Sequence, residues 1–142
     1  MIIKQLLKLK SINLKFAFKL FKQFVLHPTF IIGTIKATLK TFKIAEKMYP
    51  KSHSSIGEGN AFKHALWNIL LIHFISKDEK ISILWAENIT TLYEDCFIND
   101  KKSRKMDFEN NELGRRLYQK EKSIDELVFI VLQNKKLFHT LE

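Results

Sequence analysis

The chain has 142 residues, a net charge of +9, four Gly, two Pro and a single Cys. One Cys excludes an internal disulfide, and the scarcity of Gly and Pro beside long runs at helical spacing argues against a β-rich fold. Residues 1–51 carry 11 Lys against one acid, Glu46, whereas residues 52–142 carry 13 basic and 14 acidic side chains. The excess charge therefore sits in the first third, which suggests a basic arm for an anionic surface ahead of a near-neutral domain.

The expected class is all-α: a small bundle of about five helices with a basic amphipathic N-terminal helical pair. The expected division is an arm over 1–49, a linker over 50–59 and a helical domain over 60–142. Residues 2–26 read as the first helix. Lys4, Lys8, Lys15, Lys19 and Lys22 project within roughly 60° at 100° per residue, and Leu6, Leu9, Phe16, Leu20, Phe21 and Phe24 fill the far side. Pro28 ends this helix, since it lacks a donor and restricts His27. A second helix is expected from about Phe30 to Met48, with Lys36, Lys40, Lys43 and Lys47 on one face. Two uses compete for the apolar faces: packing on the chain's own domain, or an anionic membrane surface. Specific nucleic-acid binding is not expected, because the basic faces lack side chains that read bases. Pro, Ser, His and Gly cluster between Pro50 and Gly59, as a linker requires.

The most apolar helix follows, from the glycines to Ser76. Its uncharged run between Lys63 and Lys77 spans 13 residues, too short to cross a bilayer. Asn60, His64 and Asn68 recur at i, i+4, i+8 on one stripe, and Leu71 and Ile75 continue it. Burying His and Asn without partners costs several kcal/mol (about 2–7 for each unpaired group), so partners are expected. After a turn at Lys77–Lys80 comes a helix to about Asp95, with Ile81, Trp85, Ile89, Leu92 and Cys96 as its apolar stripe. On that stripe Glu94 projects away from the core unless the helix ends after Leu92. Asn99–Lys105 reads as a charged loop. A helix starts near Asp107, which serves as an N-terminal residue, with Asn111, Gly114 and Tyr118 on the same line. Gly114 inside a helix costs about 1 kcal/mol against Ala and points to a close approach. Ser123 and Glu126 form a capping-box pattern that opens a last helix, to about His139.

Two polar stripes thus stand on apolar helices, Asn60/His64/Asn68 and Asp107/Asn111/Tyr118, with Tyr93-Glu94-Asp95 between them. One His, two carboxylates and several amides suit metal coordination or acid–base chemistry. They equally suit a buried hydrogen-bond network that fixes one packing. No H-E-x-x-H, paired cysteines, phosphate-binding loop or G-x-S-x-G is present.

The segments N-A-F-K-H-A-x-W at 60–67, Y-E-D-x-F-x-N at 93–99 and M-D-x-x-N-N-x-x-G-R at 106–115 resemble an uncharacterised all-helical bacterial domain family. That family occurs as small standalone proteins and at the ends of secreted or toxin-like chains. The resemblance covers roughly 57–118 and implies a shared site of His64, Glu94, Asp107 and Asn111, with Asn110 and Gly114 in support. Asn60 stands where the family pattern has Asp, and Tyr93 where it has His, so two acid–base or ligand groups are missing. The expected role is therefore a structural or binding cluster, with Trp67, Asn68 and Tyr118 also in support. The alternative is a hydrolase-like enzyme, assisted by a divalent metal on His64 and Asp107 and attached peripherally to a membrane. The expected location is cytoplasmic, with or without that attachment; no protein partner is indicated.

Overall fold

The structure, a computed structural model, describes residues 12–51, 57–97, 99–134 and 136–139. The described residues hold six helices: α1 Leu14–Leu26, α2 Pro28–Met48, α3 Glu58–Ile75, α4 Glu79–Cys96, α5 Lys101–Leu117 and α6 Ile124–Leu132. The only β pairing among them is an isolated antiparallel bridge between Ile12 and Phe97. The all-α expectation holds.

Helix α3 is the axis. Phe62, Leu66, Ile69, Leu70, Leu71 and Ile72 are all fully or almost fully buried, as befits a helix that is apolar nearly all round. Helices α2, α4, α5 and α6 pack around it. Two glycines set how close its neighbours come. A Cβ on Gly33 would lie 2.6 Å from the Phe74 carbonyl oxygen, and one on Gly114 would lie 2.2 Å from that of Ala65. Neither space admits a methyl group, so α2 and α5 each touch the α3 backbone directly. Gly57, with φ +146°, supplies the turn into α3 that other residues rarely adopt.

Helix α2 meets the core through small and hydroxyl residues: Gly33, Thr34, Ala37, Thr41 and Ala45 are its buried positions. The Trp85 indole NH donates to Thr34 (3.0 Å) and that of Trp67 to Thr38 (3.1 Å). Phe24, His27 and Phe30 gather around Trp85 where α1 turns into α2.

Several boundaries differ from expectation, each for a local reason. The first helix among the described residues begins at Leu14, because the Asn13 side chain caps it and the Asn13 NH bonds the Cys96 carbonyl. Lys4, Lys8, Lys10, Leu6 and Leu9 lie outside the described residues, as does His53 in the linker. The buried face of α4 is Ser82, Trp85, Ala86, Ile89, Thr90, Glu94 and Cys96, while Ile81 is exposed. Small residues at 82, 86 and 90 mark the line facing α3, and Glu94 continues it at i+4 without any break in the helix. Helix α5 starts at Lys101, not Asp107: Asp100 accepts from the NH groups of Lys102 and Ser103, turning the expected loop into a first turn. Helix α6 has its full capping box but ends at Leu132. Beyond it, Asn110 clamps the Phe138 backbone with bonds of 2.7 and 2.9 Å, which holds the chain in a non-helical return.

Candidate functional site: a buried histidine between two carboxylates

Three helices converge where α3 leaves its first turns. Asn60, His64 and Asn68 come from α3, Thr90 and Glu94 from α4, and Asp107, Asn111 and Arg115 from α5. Asp107, Asn111 and Arg115 share one face by their i, i+4, i+8 spacing, and Gly114 beside them removes the side chain that would hold α5 away from α3. His64, Asn68, Glu94, Asp107 and Asn111 are all buried.

The hydrogen bonds fix one another in sequence. Arg115 can only donate, and its guanidinium bonds the Asn68 Oδ1 at 2.8 Å. The Asn68 Nδ2 therefore donates, to the His64 carbonyl at 3.0 Å and to Asn111 Oδ1 at 2.8 Å. The Asn111 oxygen consequently faces His64 Nδ1 at 3.3 Å, while its Nδ2 donates to Glu94 Oε1 at 3.4 Å. That arrangement places the ring proton on Nδ1, which donates to Asn111 Oδ1 and has Glu94 Oε1 3.4 Å away. The unprotonated Nε2 then lies only 3.2 Å from Asp107 Oδ1. Asp107 Oδ1 also accepts from Asn60 Nδ2 at 3.1 Å. Two electron-rich atoms at that separation need a shared proton or a cation.

The electrostatics sharpen this demand. Burial, then the Lys63 ammonium, push His64 down to about 3, against the upward pull of Asn111, so the imidazole is neutral near pH 7. Flanking carboxylates would favour imidazolium if they were ionised. Burial instead raises Glu94 to about 8, with Asp107 adding to the rise, so Glu94 holds its proton. Burial raises Asp107 to about 6, with Lys63 and the amides of Asn60 and Asn99 opposing. Asp107 is thus the readier of the two carboxyls to ionise, and it lies 3.2 Å from Nε2. Lys63 is itself pulled down by burial.

His64 forms part of the wall of a cavity of about 80 Å³, with Lys63 and Trp67 of α3, Thr38, Thr41 and Phe42 of α2, and Tyr93 of α4. At about 30 Å³ per water that is room for two or three waters, far below the ~300 Å³ of an ordinary small-molecule pocket. Trp67 meets Tyr93 edge to face across it.

Of the residues singled out in the sequence, His64, Glu94, Asp107, Asn111, Asn60 and Asn68 are brought together. Trp67 lines the cavity and Gly114 is a spacer. Asn110 faces the C-terminal segment instead. Tyr118 caps α5 beside a groove formed by Ile72–Lys77, away from His64. Sequence reasoning did not assign roles to Lys63, Thr90 and Arg115. Arg115 was the last residue of the third motif, and Thr90 stands one turn before Glu94; both were visible as spacing.

His64, Glu94 and Asp107 each offer one donor atom within 4.8 Å of the others, so the group could hold a metal ion. Neither a curated protein nor a solved structure matches the chain. A family profile described as a domain of unknown function (DUF6973) matches residues 21–139, a stretch that includes α2 to α6 and every residue of the cluster. The chain belongs to that family.

Proposed function

We propose that the cluster is a divalent-cation site with His64 Nε2 and Asp107 as its ligands and Glu94, beside Nδ1, as the carboxylate that orients the ring. The observation that carries this is the approach of His64 Nε2 and Asp107 Oδ1 to 3.2 Å. Two ligands about 2.1 Å from one tetrahedral metal ion lie roughly 3.4 Å apart, so the pair is already near that spacing. Asn60 and Asn111 orient the carboxylates in the way that outer partners orient metal ligands. A bound cation would supply a water of lowered pKa, and the cavity above His64 admits only a small group. That combination supports a hydrolase-like reaction on a small exposed bond rather than engulfment of a large substrate.

A second reading has its own support. No buried side-chain nitrogen or oxygen among the described residues lacks a partner, which suits a closed structural network with Asp107 or Glu94 carrying the needed proton. Titration of the chelator-treated full chain with Zn²⁺ and Mn²⁺ by calorimetry separates the two. One site, lost in both His64→Ala and Asp107→Asn, supports the cation. Heat signals that are absent, or identical in Asp107→Asn, assign the cluster to structure.

A further inference from the structure

Helices α1 and α2 leave their largest apolar side chains in water. On α2, Ile32, Ile35 and Leu39 are 61, 53 and 58% exposed, and on α1 Phe18, Phe21 and Val25 are 68, 64 and 60% exposed. These are not scattered. At 100° per residue Ile32, Ile35 and Leu39 lie roughly opposite the Gly33/Ala37/Thr41 side that packs on α3. The core thus uses the small-residue face of α2 and leaves the apolar stripe unpartnered. On α1 the half-buried residues Phe16, Leu20 and Phe24 face inward, and Phe18, Phe21 and Val25 form a separate stripe.

A rank of lysines borders each stripe: Lys15, Lys19 and Lys22 on α1, and Lys36, Lys40, Lys43 and Lys47 on α2, all exposed. Glu46 is the single acid across both helices. We propose that this face docks on an anionic membrane surface, with the Phe, Ile and Leu stripes at the acyl boundary and the lysines among the headgroups. The pairing of a large exposed apolar surface with one-signed charge is what such a surface selects. A second copy of the chain fits less well, since a two-fold contact would set like-charged lysine ranks beside each other. Nucleic acid would satisfy the lysines and leave the apolar stripes in water. No helix among the described residues is long and apolar enough to cross a membrane, so the contact is one of lying on the surface. Phe42 belongs to the exposed edge of α2 and also to the cavity over His64. The docking does not depend on a cation at that site.

The test is co-sedimentation of the full chain with phosphatidylserine/phosphatidylcholine vesicles and with pure phosphatidylcholine vesicles, beside analytical ultracentrifugation of the free chain. Binding to the anionic vesicles is expected, with little to the neutral ones. The lysine share should fade as the Debye length falls from about 10 Å at 0.1 M salt to about 3 Å at 1 M. Lys36→Glu with Lys40→Glu should weaken partitioning at least ~25-fold, at roughly fivefold or more per lysine. Ile35→Ser with Leu39→Ser should weaken it at both salt concentrations. All four positions are solvent-exposed, and an unchanged melt shows that each variant folds. Equal binding to both vesicle types, or none, overturns the proposal. So does a dimer that the Ile35→Ser/Leu39→Ser variant dissociates in a chain that ignores vesicles; the face then belongs to a second copy.

Discussion

Helix α3 is gripped from two sides by the same device and for different ends. On one side Gly33 lets α2 touch the backbone at Phe74; on the other Gly114 lets α5 touch it at Ala65. The α2 contact is small and carries single hydroxyl bonds: Thr34, Thr38 and Thr41 return their protons to carbonyls of their own helix at 2.8 Å, and Thr38 accepts across the interface from the Trp67 indole. The α5 contact is polar across the interface, with Asn111 and Arg115 reaching Asn68, Glu94 and Thr90. Close approach therefore serves packing at α2 and an interhelical hydrogen-bond network at α5. The first should answer to volume, the second to hydrogen-bonding partners and protons as well.

The largest expected effect is at Gly114. Gly114→Ala drives a methyl group into the Ala65 backbone, which cannot swing aside, so destabilisation should pass the usual overpacking range of about 1–3 kcal/mol. Gly33→Ala meets the Phe74 carbonyl at 2.6 Å and an Ile75 methyl at 3.0 Å, and part of that clash is a mobile side-chain end. It should cost less, about 1–3 kcal/mol. Urea unfolding of both variants compares the two sides directly, and a Gly33 variant worse than the Gly114 variant would reverse their ranking.

Asn111→Ala strips partners from Asn68, His64 and Glu94 together. A loss of about 1–3 kcal/mol is expected, whereas Thr38→Ala, which removes one half-buried hydroxyl from Trp67, should cost about 1 kcal/mol. Near-equal midpoints in urea would erase the contrast between a polar relay and isolated hydroxyls.

The pH response should be smaller and specific to the α5 side. Glu94 ionises near 8 in the folded chain against 4.5 unfolded. A raised carboxyl holds its proton more tightly when folded, so its contribution is complete below 4.5 and is lost as pH rises through 8. In chelator, the urea midpoint should fall from about pH 5 to about pH 9 in the native chain. Glu94→Gln, which has no proton to lose, should flatten that fall. A variant that tracks the native chain across the range would remove Glu94 from the buried acid–base set.

The smallest effect tests the corrected face of α4. Ile81 is exposed and Ser82 is wholly buried, so Ile81→Ser should move stability by no more than about 0.5 kcal/mol. Ser82→Leu, in contrast, should destabilise by overpacking. The opposite ranking would restore the stripe expected from hydropathy.

By itself the sequence determined the all-α class, the buried character of α3 and the stripe Asn60/His64/Asn68. Each is a local pattern of period 3.6, which one helix sets without reference to its neighbours. It also determined that Gly114 marks a close approach, since nothing local repays a mid-helix glycine. The tertiary structure decided what hydropathy cannot rank. Ser82, Ala86 and Thr90 carry little apolar signal, yet small size let α3 and α4 meet along them and carried Glu94 inward. Large residues on α1 and α2 carry a strong signal, yet Gly33, Ala37 and Thr41 won the core because only they fit against the α3 backbone. The tautomer of His64 was likewise beyond the sequence, because it follows from Arg115 of α5 through Asn68 of α3 back to Asn111 of α5. Hydropathy records what a side chain gains by leaving water; which side chain leaves depends on the shape and partners it meets.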